Sequence, residues 1–541
     1  MLLRVGGHRR RLSFCLWSLA LVFLVSVSHV FAADNVWQGS TSTVFGDKHN
    51  WSLNALPGST DNAEFNSTFT NQPSLGSTAA TLGGLWMTTG VGQNVTISGT
   101  AVLTLSGNTI NGTTNLGIRV DNTSAWTLTI SAPLALGATQ SWTNNSGNLL
   151  TVGAVNLSSF GLTVNGSGST SVTGIVSGGG TFTKSGTGTL TLSGANTYSG
   201  LTAVTAGILN IRDAIALGTT AGATTVSSGA TLQIQNSITV GNEGLTISGV
   251  GASGQNGALV SVSGTNNYGG LLALGAAATI SSDSGTLNLT NAGTITGSGF
   301  GLTLTGSGNG SISSVIGTGT GTLTKSGGGT WTLTGTNSFT GSTTINAGTL
   351  TVAGSTGAAL GATASITINT GGTLLLGASN QINNSAGMTL NGGTFATGGF
   401  SEGTASAVGI GALTLTASSH IDFGTGAVGV LSFASFSPGL NLLTIDNWTG
   451  TAATVGNAGT DRLIFDSDQT ANLSHYTFTG YLGAQEIALG GGFFEIVPVF
   501  TPEPSTYFAA GLTLLATLYY QRRRIRCVLD KCVPNAANNN S

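Results

Sequence analysis

One stretch of this chain occurs twice without a gap. Residues 180–211, GTFTKSGTGTLTLSGANTYSGLTAVTAGILNI, align with residues 321–352, GTLTKSGGGTWTLTGTNSFTGSTTINAGTLTV, at an offset of 141 residues. The similarity extends backward, where residues 134–149 resemble residues 272–287. A unit of about 140 residues is therefore duplicated. Only a fold built from stacked repeats accommodates such a unit easily.

Within each unit, apolar residues alternate with threonine, as in GTLTLSG at 188–194 and GTWTLTG at 329–335. This period of two is typical of strands with one buried face, and the Gly and Asn between them mark turns. Because one short coil cannot bury its apolar face alone, the pattern predicts a solenoid. We expect an all-β, right-handed parallel β-helix of roughly 20 coils stacked about 4.8 Å apart, with a cap at each end.

The N-terminus has the pattern of a secretory signal peptide. Arginines at 4 and 9–11 precede an apolar run over 12–27, and small residues suit cleavage after Ala32 or Ala33. An uncleaved N-terminal anchor is the alternative. The predicted organisation is a signal peptide at 1–33, an N-terminal cap at 34–75, a β-solenoid at 76–415 with repeat units at 178–211 and 319–352, a C-terminal β cap at 416–500, a sorting and membrane segment at 501–526 and a tail at 527–541.

Charge and cysteine content restrict the partners of the exported part. Residues 34–504 contain six Lys and Arg against seventeen Asp and Glu, a net charge of −11. Nucleic acid is excluded as a partner, because neutralising phosphates requires clustered cations that this region lacks. Cysteines occur only at Cys15, Cys527 and Cys532, so the exported part has no disulfide, and two tail cysteines do not make a zinc site.

The duplicated stretches resemble autotransporter-associated β-strand repeats. The family pattern is a Lys, then Gly-x-Gly-Thr-Leu, Asn-Thr-Tyr-x-Gly and Gly-Thr-Leu, and Ile208 in the first copy and Ser338 in the second depart from its commonest form. It is carried by Lys184, Asn196, Tyr198 and Gly200 in the first copy and by Lys325, Asn337, Phe339 and Gly341 in the second. The resemblance implies a passenger-like β-solenoid displayed outside a bacterial cell of the Gram-negative type.

The C-terminal region resembles the PEP-CTERM sorting signal. Its parts are Pro502, Glu503 and Pro504, a short apolar helix predicted to cross the membrane at 506–521, and a basic stop made by Arg522, Arg523, Arg524 and Arg526. The resemblance implies processing by a membrane-embedded exosortase-type enzyme, with the helix in the inner membrane beforehand and the solenoid outside. A simple single-span anchor is the alternative.

Residues that would indicate an enzyme are scattered. His49, His420 and His475 stand in different settings, and no nucleophile elbow or zinc motif is present. The nearest carboxylate pairs for glycoside hydrolysis are Asp422 with Asp446 and Glu486 with Glu495, but nothing in the sequence places either pair on one face. Asp461, Asp466 and Asp468 lack the spacing of a calcium loop, so a solvated turn is expected.

Three further features have a structural and a functional interpretation. Lys184 and Lys325 are either glycan or anion contacts or turn lysines that discourage edge pairing, and we favour the latter. Trp331, Tyr198 and Phe339 are either sugar-stacking platforms or core residues, and their place in the alternation favours the core. The Thr-x-Thr arrays offer a surface that orders water or ice, although this alternation is general in such repeats.

The sequence thus predicts an exported, non-enzymatic scaffold or adhesin at the cell surface or in the extracellular matrix, without catalytic residues, metal or cofactor. The expected partners are the exosortase-type enzyme and an exopolysaccharide or surface glycan. The alternatives are a polysaccharide-active lyase or hydrolase and an ice-binding or surface-binding protein. An enzyme would carry an acid cluster in one groove, whereas an adhesin would bind saturably without turnover.

Overall fold

The alternation of apolar residues and threonine builds one parallel β-solenoid, as predicted, with about 17 turns where the sequence suggested roughly 20. The computed structural model describes residues 34–121, 125–355, 357–426, 428–457, 459–499 and 504–530. At about 4.8 Å per turn, the stack is on the order of 80 Å long. Each turn contributes up to three short strands, and strands of successive turns pair in register to form three faces, here named A, B and C in the order in which the chain meets them.

Face A begins at the N-terminal end, and its members pair in parallel from one turn to the next. Its strands are Asp34–Val36, Asn62–Phe65, Gly84–Met87, Thr113–Val120, Gln140–Asn144, Leu162–Asn165, Phe182–Lys184, Thr202–Val204, Thr224–Val226, Leu245–Gly249, the first residues of Leu272–Ser282, Thr294–Ile295 and Val315–Ile316.

Face B is the longest and runs to the C-terminal end of the solenoid. Its strands are Val95–Ile97, Leu128–Ile130, Leu150–Val152, Thr170–Val172, Thr189–Leu192, Gly207–Ile211, Ala230–Gln235, Leu259–Ser263, the last residues of Leu272–Ser282, Leu302–Thr305, Leu323–Lys325, Thr343–Ile345, Ser365–Asn369, Gly387–Asn391, Ile410–Ala417, Val430–Ser437, Arg462–Phe465, Phe493–Val499 and Gly483–Gly490.

Face C follows face B in each turn and consists of a 5-stranded and an 11-stranded sheet. Its strands are Ala80–Leu82, Leu103–Leu105, Leu134–Leu136, Val155–Asn156 and Val176–Ser177, then Thr239–Val240, Thr265–Tyr268, Thr286–Leu289, Asn309–Ile312, Thr330–Leu333, Gly348–Val352, Gly372–Leu376, Thr394–Ala396, Ser419–Asp422, Leu443–Asp446 and Tyr476–Phe478. Short side elements complete the fold: strands Asn108–Ile110, Gly403–Thr404 and Ala407–Val408, 3-10 helices Lys48–Asn50 and Thr470–His475, and helix Pro504–Asp530.

The core is a continuous column of apolar side chains along the solenoid axis. Every second residue of a strand points inward, which gives burial alternation in strands such as Thr330–Leu333 and Ser365–Asn369. Stacked turns bury these residues against their equivalents in the neighbouring turns, as expected when no single turn closes a core by itself.

The two ends of the solenoid are closed differently. At the N-terminal end, Trp51 packs edge-on against Trp37 and Phe45, with ring centroids 5.0 and 4.9 Å away. At the C-terminal end, parallel stacking continues past residue 415 to Arg462–Phe465. There Phe493–Val499 pairs antiparallel with Arg462–Phe465, and Gly483–Gly490 pairs antiparallel with Phe493–Val499. An antiparallel hairpin therefore terminates the parallel ladder.

Candidate contact face

A column of threonines runs along the outer surface of face B. Residues Thr303, Thr324, Thr344, Thr367, Thr389 and Thr414 are direct register partners from one strand to the next. Each is partly exposed, because its strand neighbours on both sides point into the core. In-register stacking repeats the hydroxyl groups about every 4.8 Å along the solenoid axis.

A second column of amides lies beside these threonines, two residues further along each strand. Asn369 Nδ2 donates to Asn346 Oδ1 at 2.7 Å, and Asn391 Nδ2 donates to Asn369 Oδ1 at 2.9 Å. Thr416 Oγ1 donates to Asn391 Oδ1 at 3.0 Å and extends the ladder by another turn. These bonds hold the amides in a fixed orientation, so the surface is ordered before any partner arrives.

The threonine–asparagine face, defined by these two columns, is uncharged. The inward-pointing Lys325 is the one Lys or Arg in its strands Leu302–Thr305 to Ile410–Ala417, and these strands contain no Asp or Glu. Hydroxyl and amide groups donate and accept hydrogen bonds at neutral pH without a change of charge. The arrangement suits hydrogen bonding to a neutral, hydroxyl-rich, repeating surface rather than proton transfer.

Lys184 and Lys325 are not surface residues, so both sequence interpretations of them are wrong. Lys184 is 2% exposed, and its ammonium donates to the carbonyls of Ser185, Gly186 and Ala206 at 2.7, 2.8 and 3.2 Å. Lys325 is 0% exposed, and its ammonium contacts the equivalent carbonyls of Gly327 and Ala347. Each lysine lies two residues after an apolar residue that points inward. Its side chain therefore also points into the solenoid, where it binds the carbonyls of a turn.

Burial has an electrostatic consequence for both lysines. Desolvation lowers the pKa of Lys184 and of Lys325 to about 8. Neither ammonium has a carboxylate partner within ion-pair distance among the described residues. The carbonyls supply the acceptors that make burial of these cations tolerable. The lysines are therefore structural parts of the repeat.

The repeat asparagines connect three successive turns. Asn196 Oδ1 accepts from the Val176 backbone N–H at 2.8 Å, and its Nδ2 donates to the Ala216 carbonyl at 2.6 Å. In the second copy, Asn337 makes the same bonds to the turns before and after it, with distances of 2.7 and 2.8 Å. Each side-chain amide thus supplies hydrogen bonds to backbone groups at a position where the chain forms no strand that could supply them.

The aromatic and glycine positions of the repeat are also internal. Tyr198, Phe339 and Trp331 are 0%, 2% and 0% exposed, which confirms the prediction that they are core residues. A Cβ added to Gly200 would lie 2.1 Å from the Gly180 carbonyl oxygen, and one added to Gly341 would lie 2.2 Å from that of Gly321. Glycine is therefore required at both positions by close stacking of the turns.

The structure places one of the two candidate carboxylate pairs on a single face, which the sequence could not show. Asp422 and Asp446 are register partners on the outer surface of face C, and His420 Nδ1 lies 2.7 Å from Asp446 Oδ2. Local donors already engage both carboxylates: Asn447 Nδ2 lies 2.7 Å from Asp422 Oδ1, and Thr479 Oγ1 lies 2.6 Å from Asp446 Oδ1. The cluster is open to solvent on a flat face.

The other carboxylate pair is separated. Across the terminal hairpin, Glu486 faces Ile496 and Glu495 faces Ile487, so neighbouring register positions place the two acids on opposite faces. Glu495 is buried and accepts from Arg462 at 2.8 Å, whereas Glu486 accepts from the Gln469 N–H. The two residues do not form one site.

The remaining candidates have local roles. Asp461 is buried and accepts from the N–H groups of Gly429 and Thr449, both at 2.8 Å, and burial raises its pKa. Asp468 accepts from Thr470 in an exposed turn, where this hydrogen bond lowers its pKa. Over the residues that the structure describes, no group of three or more metal-ligating side chains occurs.

The other two histidines are similarly isolated. His49 Nδ1 lies 2.9 Å from Asp47 Oδ1 in the N-terminal cap, and His475 Nδ1 lies 2.8 Å from the Asn441 carbonyl. Neither histidine ring bonds to a serine, threonine or cysteine side chain, and neither belongs to a metal-ligating cluster, among the described residues.

The C-terminal helix differs from the predicted transmembrane segment. Helix Pro504–Asp530 extends beyond 506–521 on its C-terminal side, and Arg522, Arg523, Arg524 and Arg526 lie exposed on it. In the described part of the chain, no helix has both the length and the apolar character needed to cross a membrane. The transmembrane prediction is therefore not supported, since the arginines interrupt the apolar run after about 14 residues.

Several predicted positions lie outside the described residues. These are the signal peptide at 1–33 with Ala32 and Ala33, Pro502 and Glu503 of the sorting motif, and the tail from 531. Pro504 is the first residue of the C-terminal helix.

Comparison with known families identifies the repeated element. Residues 182–211 and 323–352 match the passenger-associated-transport-repeat. In the structure, each matched stretch runs from the strand that carries the buried lysine, through two further strands, to the end of the fourth, so it covers about one and a half turns of the solenoid. No curated protein and no solved structure matches the chain.

The repeats and the fold together fit an exported, passenger-like β-solenoid displayed at the cell surface. Sequence reasoning identified the repeats and the Thr-x-Thr arrays, but it missed the stacking of Thr and Asn side chains into two in-register columns. A signal was present, because Asn346, Asn369 and Asn391 recur at intervals close to one turn. Using it requires knowledge of which residues are register partners.

Proposed function

We propose that this protein is a non-enzymatic scaffold and adhesin that binds a neutral exopolysaccharide or surface glycan through its threonine–asparagine face. The observation that carries the proposal is the in-register pair of uncharged hydroxyl and amide columns along face B. A polysaccharide presents repeating hydroxyl groups, which match such a surface in chemistry and in repetition.

Binding of this kind relies on many weak contacts. A single hydrogen bond between groups that are exposed in the free state contributes only about 0.5–1.5 kcal/mol net. A rigid row of six threonines on consecutive strands lets one chain make several of these contacts at once. The affinity therefore increases with the number of turns engaged, without a pocket.

The test removes hydroxyl groups without changing shape. The triple variant Thr344→Val, Thr367→Val, Thr389→Val lies on face B, and the matched control Thr330→Val, Thr349→Val, Thr373→Val changes register partners on face C. Retention of each purified protein on the exopolysaccharide of the native cell is measured. We expect the face B variant to bind about tenfold more weakly, from three lost hydrogen bonds. Equal loss in both variants would contradict the proposal.

We also propose that a PEP-type sorting motif at Pro502, Glu503 and Pro504 directs the exported chain to an exosortase-type enzyme. The order of motif, helix and arginines supports this, and the exposed arginines of the helix are available for recognition. Intact mass and cell fractionation are compared for the wild type and for a variant with Ala at all three positions. Processing near residue 504 in the wild type alone agrees with sorting; retention of 522–541 in both proteins contradicts it.

A further inference from the structure

The threonines of the contact face keep their hydroxyl groups free. Among the residues that the structure describes, no hydrogen bond is made by the hydroxyls of Thr303, Thr324, Thr344, Thr367, Thr389 and Thr414. Register partners repeat about every 4.8 Å, whereas a hydrogen bond between hydroxyls requires about 2.5–3.0 Å between the oxygens, so neighbouring threonines do not bond to each other. Each turn therefore presents one unused group that can both donate and accept.

The columns on the two sides of these threonines differ in size. Two residues before them lie Gly301, Thr322, Ser342, Ser365, Gly387 and Ala412, none of which is larger than threonine. Two residues after the threonine, three successive strands carry Asn346, Asn369 and Asn391, whose amides bond to one another. The threonine column is therefore open on one side and bordered on the other by side chains in fixed positions.

The comparable column on face C is shorter and has different neighbours. It contains four threonines in register and then reaches His420. The column beside it contains Leu375 and Ala396 where face B has asparagines. Face B thus offers the longer uninterrupted row of hydroxyl groups.

We infer that the threonine–asparagine face binds a linear, uncharged glycan of equatorially linked pyranose rings, which lies parallel to the solenoid axis with about one sugar over each turn. This inference rests on the proposed function and names the ligand class of the same face. The orientation follows from the number of contacts: a chain parallel to the axis reaches all six threonine hydroxyls, whereas a chain that follows one strand reaches only one of them.

The shape and charge of the ligand follow from the column. Successive rings of an equatorially linked chain, such as β-1,4-linked glucose, continue in one direction, and each ring has about the length of one turn. An axial linkage, as in α-1,4-linked glucose, turns the chain, so that successive rings leave the column. Acidic sugars are disfavoured, because this face exposes no cation and residues 34–504 carry a net charge of −11.

The test compares two ligands of the same composition. β-1,4-linked and α-1,4-linked glucose oligomers of two to six units are passed over the immobilised full chain, and their retardation gives each dissociation constant. We expect the β-linked series to bind more tightly with each added unit, by about tenfold in total, and the α-linked series to gain little with length. Equal binding of the two series, or no dependence on length in the β-linked series, overturns the inference.

A variant at one end of the column tests the orientation. Thr303→Val, Thr324→Val, Thr344→Val leaves the hydroxyls of Thr367, Thr389 and Thr414 and of Ser437, the next register partner. The six-unit β-linked oligomer should then bind no more tightly than the four-unit one. An advantage of the six-unit oligomer that persists in this variant contradicts the axial orientation.

The matched control is the face C variant Thr330→Val, Thr349→Val, Thr373→Val, which should keep the wild-type dependence on length. Circular dichroism checks the fold of both variants. Retention on the native exopolysaccharide separates this inference from the proposed function. If retention depends on face B while the β-linked oligomers fail to bind, the ligand class assigned here is wrong and the proposed function stands; if retention does not depend on face B, both are overturned.

Discussion

The two passenger-associated-transport repeats bury the same types of residue in the same order, yet they lie on different faces of the solenoid. The strand of Lys184 belongs to face A, whereas the strand of Lys325 belongs to face B. The run of paired strands on face B connects Thr189–Leu192 of the first repeat to Leu323–Lys325 of the second. The second repeat is therefore rotated by one face relative to the first.

The rotation arises because the duplicated unit does not contain a whole number of turns. From Phe182–Lys184, face A advances six turns to Val315–Ile316, and the next strand, Leu323–Lys325, lies on face B. Each repeat contacts only its neighbouring turns, so the local motif is unaffected by the face on which it lies. The motif therefore specifies about one and a half turns, while the turns between the two copies set the face on which each copy lies.

The largest expected effect concerns Trp331, which replaces the Leu190 of the first repeat. Trp331 fits because its register partner is Gly310, whereas Leu190 lies against Thr170. A Cβ on Gly310 would lie 2.6 Å from the indole ring. We expect Trp331→Ala to cost about 3–5 kcal/mol of unfolding free energy and Leu190→Ala about 2–5 kcal/mol, measured by denaturant unfolding. A Trp331→Ala cost below that of Leu190→Ala would contradict this packing account.

Substitution of Asn196 and Asn337 tests whether both repeats connect neighbouring turns through the same hydrogen bonds. Asn337→Ala leaves the Ile316 N–H and the Ala359 carbonyl buried without their partner, and Asn196→Ala does the same to Val176 and Ala216. We expect each variant to lose about 2–4 kcal/mol, from two unsatisfied groups. Native-state hydrogen exchange at the Ile316 and Val176 amides checks the site, and unchanged protection at either amide would exclude the bridge.

Buried polar groups continue from turn to turn after the second repeat. Beyond Asn337, Gln381 accepts from the Ala359 N–H at 3.1 Å, and Glu402 accepts from the Gln381 N–H at 2.6 Å. Glu402 is fully buried, and desolvation raises its pKa to about 8. The Glu402 carboxyl therefore holds a proton in the folded protein, whereas in the unfolded chain it releases this proton above about pH 4.5.

Because of this raised pKa, Glu402 makes its full contribution to the free energy of unfolding below about pH 4.5. This contribution is lost as the pH rises toward 8. The expected slope is up to about 1.4 kcal/mol per pH unit. Glu402→Gln keeps an acceptor for Gln381 and should remove this slope. Thermal unfolding between pH 5 and 8 compares the two proteins, with Asp213→Asn, at a partly exposed acid that follows the first repeat, as the control. Parallel pH profiles of wild type and Glu402→Gln would refute the assignment.

The smallest expected effect separates Tyr198 from Phe339. The Tyr198 hydroxyl bonds to Thr202 Oγ1 at 2.7 Å, whereas the equivalent Thr343 pairs with Thr363 at 3.2 Å. Tyr198→Phe should cost about 1–2 kcal/mol, because it leaves a buried hydroxyl unpaired. The double variant Tyr198→Phe, Thr202→Val should recover part of that loss in denaturant unfolding. No recovery would show that the hydroxyl pair is not the cause.

The sequence by itself determined the all-β solenoid and the inward position of the repeat aromatics, because alternation, glycine turns and duplication are properties of neighbouring residues. It did not place Lys184 and Lys325 correctly, because the carbonyls that bind Lys184 include one from the following turn, about 20 residues away. For the same reason, the sequence offered Asp422 and Asp446 as a candidate pair but did not place them on one face.

Only the tertiary structure decided the rotation of the second repeat, the in-register columns of face B and the antiparallel hairpin that terminates the ladder. Turn length varies along this chain, so the sequence distance between two residues does not tell which face each occupies. Register is set by the sum of all the turns between them and by hydrogen bonds between strands far apart in sequence. The contact face is a property of that stacking.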